Sequence, residues 1–189
     1  MNDRSEQRKR DWAVMEKNYG GFMQKYQIGD FVMYSVSGAC EVVEIGTLDF
    51  AGPDKLYYSL KPVYDARDTL YVAVSNEDKI ARKVVGKKAA QEILEKIKKS
   101  KMQGELPNKE ACEAIIQQAD SMEITNLIRQ LRHIRSENKK NHKGLNIADA
   151  KLLTYAERIM ISELATALAI SMDEAFEKLN LALDKAATG

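Results

Sequence analysis

The densest cluster of chemically active side chains is a basic segment in the second half of the chain. Between Arg132 and Lys143 the sequence has five lysine or arginine residues and one acidic residue, and the next acid is Asp149. Local positive charge of this kind neutralises phosphates and releases their counterions, which favours contact with a nucleic-acid backbone. The alternative is a solvated helix end, because basic residues near a helix C-terminus also complement the helix dipole. The candidate phosphate contacts are Arg132, Arg135, Lys139, Lys140 and Lys143, extended by Lys151 and Lys109 from neighbouring helices.

Other polar residues give little support for catalysis or metal binding. His133 and His142 are nine residues apart, without a matched carboxylate or cysteine. Cys40 and Cys112 are widely separated, with no CxxC pair and no nearby histidine, so neither a zinc site nor a disulfide framework is expected. Four other acids are most simply explained as loop carboxylates: Asp65, Asp68, Glu77 and Asp78. We therefore predict a protein without enzymatic activity, metal or cofactor.

Aromatic residues are concentrated in the first half of the chain, at Phe31, Tyr34, Tyr57, Tyr58 and Tyr71. One reading is an aromatic cage for methylated lysine. A small β domain needs most of these rings to fill its core, so we favour a role in the core over an aromatic cage. Alternation along a strand sends one of the two adjacent tyrosines inward and the other outward. We assign the outward position to Tyr58 and expect it, with Tyr71, to anchor a protein interface, because tyrosine is enriched at such sites.

The overall composition limits how this chain can meet a partner. It has 189 residues, 44% hydrophobic and 30% charged, with a formal net charge of +1. A global attraction to nucleic acid is therefore absent, and any such attraction must be local. No apolar run approaches the ~20 residues that span a bilayer, and the first residues lack the apolar segment of a secretory signal. We expect no membrane contact and a reducing, cytoplasmic location.

Short β-strands must position the aromatic residues. Alternating and β-branched patterns predict strands over residues 31–34, 39–45, 56–61 and 69–74. Turn residues separate them at Gly29-Asp30, at Ser37-Gly38 and over residues 51–54. Four or five short strands in this span are too few for a large sandwich. A small, strongly bent antiparallel barrel is the expected closure, because it removes exposed edges.

Helices must position the basic segment. After Gly86 the apolar residues recur at helical spacing, and residues 102–108 interrupt the pattern. A helix over about 108–118 follows, then one with Ser121 as N-cap and an apolar stripe from Ile124 to Ile134. Residues 138–144 read as a polar loop, residues 147–169 as a central helix, and Ser171 to Glu174 as the capping box of the last helix. The predicted fold class is α+β, a small N-terminal antiparallel β-barrel followed by a compact all-α helical domain.

An ordered set of segments resembles the CarD/CdnL family of bacterial transcription regulators. They are "YQIGDFVMYSVSGACEVVEI", "LYYSLKP", "TLYVAVSN", "RKVVG", "NLIRQLRHI" and "LLTYAERIMISELATAL", within roughly residues 25–183. The resemblance implies a Tudor-like domain over residues 23–86 that binds the RNA polymerase β subunit. It also implies a helical domain over 87–189 that contacts promoter DNA, largely without reading its sequence. No GxxxxGK[ST] motif is present, so the helicase motor that accompanies this β module in the transcription-repair coupling factor is excluded.

The chain departs from the family pattern at several positions. Ser35 and Ser75 stand where the family often has proline. Leu48 and Ala73 stand at polymerase-facing positions that are arginine in some relatives, so a more apolar interface is expected there. Some relatives insert a tryptophan into the minor groove from the start of the second helix, but the only tryptophan here is Trp12. Leu106 is the nearest candidate wedge, and a plain hydrophobic staple before Pro107 is the alternative.

The function implied by the resemblance is stabilisation of the open promoter complex by a monomer that bridges polymerase and DNA. A protein that binds the opened state better than the closed state shifts the population toward opening. The main alternative is an RNA- or ribosome-associated SH3-like binding module. Residues 23–84 carry seven basic and nine acidic residues, which suits protein docking better than phosphate binding.

The start of the chain raises a separate expectation. Gly20-Gly21 can be encoded by a ribosome-binding sequence, and Met23 follows within a few nucleotides. Residues 1–22 are therefore interpreted as an N-terminal extension that a misplaced start could have added. The alternative is a genuine helix from about Ser5 to Lys17. Sequencing the N-terminus of protein from the native gene distinguishes the two.

Overall fold

A computed structural model describes residues 24–49 and 51–187. The expectations for residues 1–22, including the alternative N-terminal helix and Trp12, and for Met23 lie outside the described residues. The first region is a five-stranded antiparallel sheet with the order β4-β3-β2-β1-β5. Its strands are β1 (Phe31–Tyr34), β2 (Gly38–Leu48), β3 (Gly52–Pro62), β4 (Leu70–Ala73) and β5 (Arg82–Lys83).

Five helices follow the sheet. They are α1 (Lys87–Lys99), α2 (Lys109–Gln118), α3 (Ser121–Lys140), α4 (Ile147–Leu168) and α5 (Met172–Ala187). The predicted α+β class, with the sheet first and the helices after it, is confirmed. Helix α4 lies at the centre of the helical region, packing on α3 and α5 as well as on the sheet, as its largely apolar sequence predicts.

The sheet differs from the prediction in three details. The β2–β3 hairpin is longer, because Leu48 pairs with Gly52 and the Ala51 amide donates to the Leu48 carbonyl at 2.9 Å. Its turn therefore precedes the predicted turn at 51–54. The two-residue strand β5 was not predicted. In the described sheet β4 pairs only with β3 and β5 only with β1, so these edges remain unclosed, and the 3-10 segment Val74–Lys79 connects the two edge strands.

Polar residues cap the helices where the local sequence provides them. The Asn108 side chain accepts from the Ala111 amide, and Asn146 accepts from the Asp149 amide. Helix α3 is capped by Asp120, which accepts from two amides of the first turn. The predicted N-cap Ser121 is instead the first helical residue. The predicted capping box is confirmed, since the Ser171 amide donates to the Glu174 carboxylate and the Glu174 amide donates to the Ser171 hydroxyl.

The two faces of strand β1 enter two different hydrophobic clusters. Val32 lies inside the sheet's own core with Tyr26, Tyr58 and the other inward residues. Its neighbour Met33 points to the other face and is buried with the helices, as is Ala39 on β2. The inner face of the sheet thus makes the β core, and part of its outer face belongs to the helical core.

A close backbone approach holds the sheet on helix α4. Gly38 has φ +71°, and a Cβ added there would lie 2.3 Å from Ser162 Oγ and 3.2 Å from the Ile159 Cα. The same Ser162 hydroxyl accepts a hydrogen bond from the Ala39 amide at 2.9 Å. Only glycine adopts this positive φ without strain and also fits here, because it has no Cβ. This contact positions α4 directly against the start of β2.

Candidate interaction surfaces

Strands β3 and β4 form one exposed part of the sheet's outer face. Tyr57 pairs with Ala73, and Ser59 pairs with Tyr71, so these four residues lie on one face. Tyr71 is 47% exposed, while Tyr57 and Ala73 are partly exposed. Strand β4 is also an edge strand, which leaves backbone groups for a further strand. Two predicted interface residues, Tyr71 and Ala73, are therefore side by side on an accessible edge.

Tyr58 is not a surface residue, and its assignment to the outward position was wrong. Its side chain is fully buried in the β core, where its ring packs edge-on against Tyr26 with centroids 5.9 Å apart. Its hydroxyl donates to the Glu77 carboxylate at 2.9 Å. Burial, reinforced by Glu77, raises the pKa of Tyr58 well above its ordinary value. The strand register places the neighbouring Tyr57 outward instead.

Leu48 lies at the far end of β2, two residues beyond Gly46, which pairs with Tyr57. It is partly exposed. The strand register shifts between Thr47 and Leu48, where the ladder is irregular. Leu48 is thus at the hairpin end of the sheet rather than beside Tyr71 and Ala73 on β4.

The predicted basic loop is in fact the end of a helix. Lys139 and Lys140 form the last turn of α3, and Lys143 follows it. The segment is closed by the Lys143 amide donating to the Asn138 carbonyl and by the Asn138 side chain donating to the Gly144 carbonyl, both at 2.9 Å. All three lysines and Arg135 are exposed. Lys140 also forms an exposed ion pair with Glu137 at 2.7 Å.

The predicted phosphate contact Arg132 is largely turned away from solvent. Its guanidinium donates to Glu157 on α4 at 2.7 Å and to Asn180 on α5 at 2.9 Å. The Arg132 and Glu157 side chains are only 23% and 22% exposed. The reason is that this side of α3 packs against α4, so burial extends beyond the apolar stripe to Thr125. Arg132 therefore ties three helices together and is removed from the predicted DNA contacts.

Lys109, Lys151 and Leu106 line one groove of about 550 Å³ between the Ser35–Ser37 turn and the N-terminal ends of α2 and α4. The two lysines are exposed, and Lys109 has Glu113 at 3.8 Å. Leu106 is half-buried and packs against the helical core, which favours the staple reading over a wedge.

The comparisons with protein-family models cover both regions. The CarD-like/TRCF RID domain matches residues 26–85, and the CarD C-terminal domain matches residues 91–180. The chain belongs to the CarD family. A comparison with curated proteins gives no match. CarD family proteins are regulators of transcription that interact with RNA polymerase, rather than enzymes.

A buried polar cluster joins the two CarD domains, and the sequence reasoning missed it. Arg82 on β5 forms a two-pronged ion pair with Glu163 on α4, with Nη2 to Oε2 at 2.9 Å. Arg82 also donates to the Ala119 carbonyl, and Glu163 accepts from the Ser121 hydroxyl at 3.1 Å and the Val85 amide at 3.4 Å. Burial alone lowers the pKa of Arg82, but the hydrogen bonds and charge of Glu163 raise it overall.

The signal for this cluster was present in the sequence. Glu163 is the one carboxylate in the apolar run from Ile159 to Leu168. A carboxylate at the centre of an apolar helix needs a buried partner. The position of that partner, on a two-residue strand about 80 positions earlier, could not be read from local pattern.

A second basic surface of this CarD protein was also missed. Helix α1 and the residue after its cap carry six lysines against two glutamates. Five of the lysines are exposed, and Lys98 is partly buried beside Glu95. In residues 24–49 and 51–187 no group of three or more His, Cys, Asp or Glu residues could hold a metal ion. Within the same ranges no helix is both long and apolar enough to cross a membrane.

Proposed function

We propose that this CarD family protein binds the RNA polymerase β subunit through the outer face and edge of β4, and promoter DNA through the basic end of its helical domain. Bridging the two stabilises the open promoter complex. The observation that carries the proposal is the rigid link between these surfaces: Arg82 of the first domain is held by Glu163 of the second, inside the protein.

Charge supports the assignment of partners to surfaces. Residues 23–84 have more acidic than basic residues, which disfavours phosphate binding by the sheet. An edge strand with an exposed tyrosine suits docking to a protein, where backbone groups can pair and Tyr71 can be desolvated. The helical domain instead has exposed lysines at one end. Contacts between these lysines and DNA phosphates do not depend on the base sequence.

A rigid bridge turns two weak contacts into one stronger assembly. Once the sheet is docked, DNA binding becomes intramolecular, with a high effective concentration. If the docked geometry fits the opened promoter better than the closed one, the protein shifts the equilibrium toward opening by that difference in affinity. The protein acts as a monomer in this scheme, because one copy provides both surfaces.

The test uses the full chain with purified RNA polymerase. Ala73→Glu places a charge on the outer face of β4, and it should abolish capture of the β subunit while the thermal melt stays native. The Lys139, Lys140 and Lys143 triple alanine variant should still capture polymerase but fail to prolong the lifetime of open complexes. Capture of ribosomal proteins or RNA instead of polymerase would favour the RNA-associated alternative and refute the proposal.

A further inference from the structure

The C-terminal turn of α1 carries lysines that no described residue neutralises. Lys96, Lys99 and Lys101 are exposed, and the ammonium groups of Lys96 and Lys101 make no hydrogen bond or ion pair with any part of the chain that the structure describes. Lys98 pairs with Glu95, which also feels the charge of Lys99. The end of α1 therefore keeps an excess of positive charge.

Compensation of the helix dipole does not account for these lysines. The last carbonyls of α1 are already capped by Arg129 of α3, whose guanidinium donates to the Ile97 carbonyl at 2.7 Å and to the Ser100 hydroxyl at 2.9 Å. Ser100 itself donates to the same Ile97 carbonyl. With one partly buried cation and one hydroxyl at the helix end, further lysines add little there.

The same arginine connects α1 to the predicted basic segment. On α3, His133 and Lys140 are four and eleven residues after Arg129, so all three lie on one side of the helix. At 1.5 Å per residue, Lys140 is about 16 Å from Arg129 along the axis. Both His133 and Lys140 are exposed. A line of donor side chains thus runs from the end of α1 along α3 to the end of that helix.

We propose that this line is a single binding track for the sugar-phosphate backbone of duplex DNA, from Lys96 and Lys99 past His133 to Lys140. The inference rests on the proposed function and extends its DNA surface to a helix outside the predicted contacts. A track of about 16 Å is longer than the spacing of neighbouring phosphates along one strand, so more than one of its cations can meet a phosphate at the same time. Beside the track Glu95 is paired with Lys98, and Glu137 is paired with Lys140 as long as no phosphate is bound.

The exposed pair of Lys140 with Glu137 does not prevent phosphate binding. Such i,i+3 pairs on a helix surface are weak, because both charges stay in contact with water. Lys140 can therefore turn to a phosphate at little cost, whereas the cap formed by Arg129 is partly buried and stays in place.

The experiment measures binding of the full chain to a fluorescent promoter duplex at several salt concentrations. The double variant Lys96→Gln/Lys99→Gln should flatten the log–log salt slope by about two units and weaken binding roughly 50-fold at 0.1 M salt. The matched control is Lys87→Gln/Lys88→Gln, which removes the same charge from the other end of α1. The control should retain the wild-type slope.

The outcomes separate the track from the proposed function. An equal loss in both double variants would indicate a general effect of net charge and overturn the track, as would an unchanged slope in the Lys96 and Lys99 variant. If that variant is unchanged while the Lys139, Lys140 and Lys143 variant loses affinity, DNA binding stands and only the track fails. If the wild-type chain binds no DNA, both fail. Binding of the wild type to an acidic peptide in preference to DNA would also overturn the track.

Discussion

Removal of the Arg82 guanidinium tests whether the cluster between the domains stabilises the fold. Arg82→Met keeps the aliphatic stem but leaves Glu163, whose side chain is 2% exposed, without its cation. Two donors to the carboxylate remain, the Ser121 hydroxyl and the Val85 amide. The Ala119 carbonyl also loses the donor that approached it at 2.6 Å.

The expected loss follows from these contacts. Removing one partner of a buried ion pair costs about 3–5 kcal/mol, because the other charge is left uncompensated. The two remaining donors, and the water that reaches Arg82 at 28% side-chain exposure, place the value near the lower end. A free-energy loss of about 3 kcal/mol corresponds to a drop in Tm of about 6–12 °C for a chain of this size.

The assay is urea unfolding of four chains: wild type, Arg82→Met, Glu163→Leu and the double variant. The double variant should recover part of the loss, since an apolar pair can replace an ion pair at little cost, while the Ala119 carbonyl, the Ser121 hydroxyl and the Val85 amide still lose these partners. The cycle yields the coupling energy. Arg67→Met is the control, because Arg67 pairs with Asp65 on the surface at 87% exposure and its removal should leave the urea midpoint close to that of the wild type. A loss in Arg82→Met no larger than in the control, or a double variant no better than the singles, would refute the reasoning.

Three further predictions concern the sheet. Gly38→Ala should lower the free energy of unfolding by about 2–4 kcal/mol in urea titrations, because of its positive φ and the overlap with Ser162 Oγ; a stability equal to wild type would contradict the close approach. Burial raises the pKa of the Cys40 thiol to about 12, so native protein at pH 8 should leave Cys40 unmodified by a thiol reagent until denaturant is added. Burial raises the pKa of Asp30, but the hydrogen bonds from Lys83 and the Gln27 amide, together with the Lys83 charge, lower it more, so the net direction is downward. The ion pair therefore stabilises the fold above the ordinary carboxyl pKa, and this stabilisation is lost as pH falls through the pKa of Asp30 in the folded protein. Asp30→Asn should lower the free energy of unfolding by up to ~1 kcal/mol at neutral pH and leave it unchanged in strong acid. A difference in unfolding free energy that stays constant across pH would exclude the ion pair.

Much of the fold could be predicted because its local signals are strong. Strand β1 and the start of α4 have the predicted positions, and Asn108 and Ser171 mark helix starts with specific capping geometry. These features depend on residues within one turn or one strand, so the sequence is sufficient for them.

The errors arose where elements distant in the sequence determine whether a side chain is buried or paired. Adjacent Tyr57 and Tyr58 are equally apolar, so alternation alone could not assign the inward ring; the pairing of β3 with β2 and β4 does. Arg132 appeared free because α3 was considered without α5, whose Asn180 lies 48 residues away. Arg82 and Glu163 were missed as a pair because β5 exists only through its pairing with β1. At these positions the residue type alone does not predict whether a side chain is buried or exposed, because tertiary packing determines it.

The two-sided burial of β1 has a consequence for synthesis on the ribosome. The outer-face residues Met33 and Ala39 are covered by helices, and the Ala39 amide is satisfied by Ser162, 123 residues later in the chain. At 5–20 residues per second, translation of that interval takes roughly 6 to 25 s. During this time the sheet can form its own core around Val32, but its second apolar face is open to water and to other nascent chains. A chain stalled before α4 emerges should therefore be a target for chaperones.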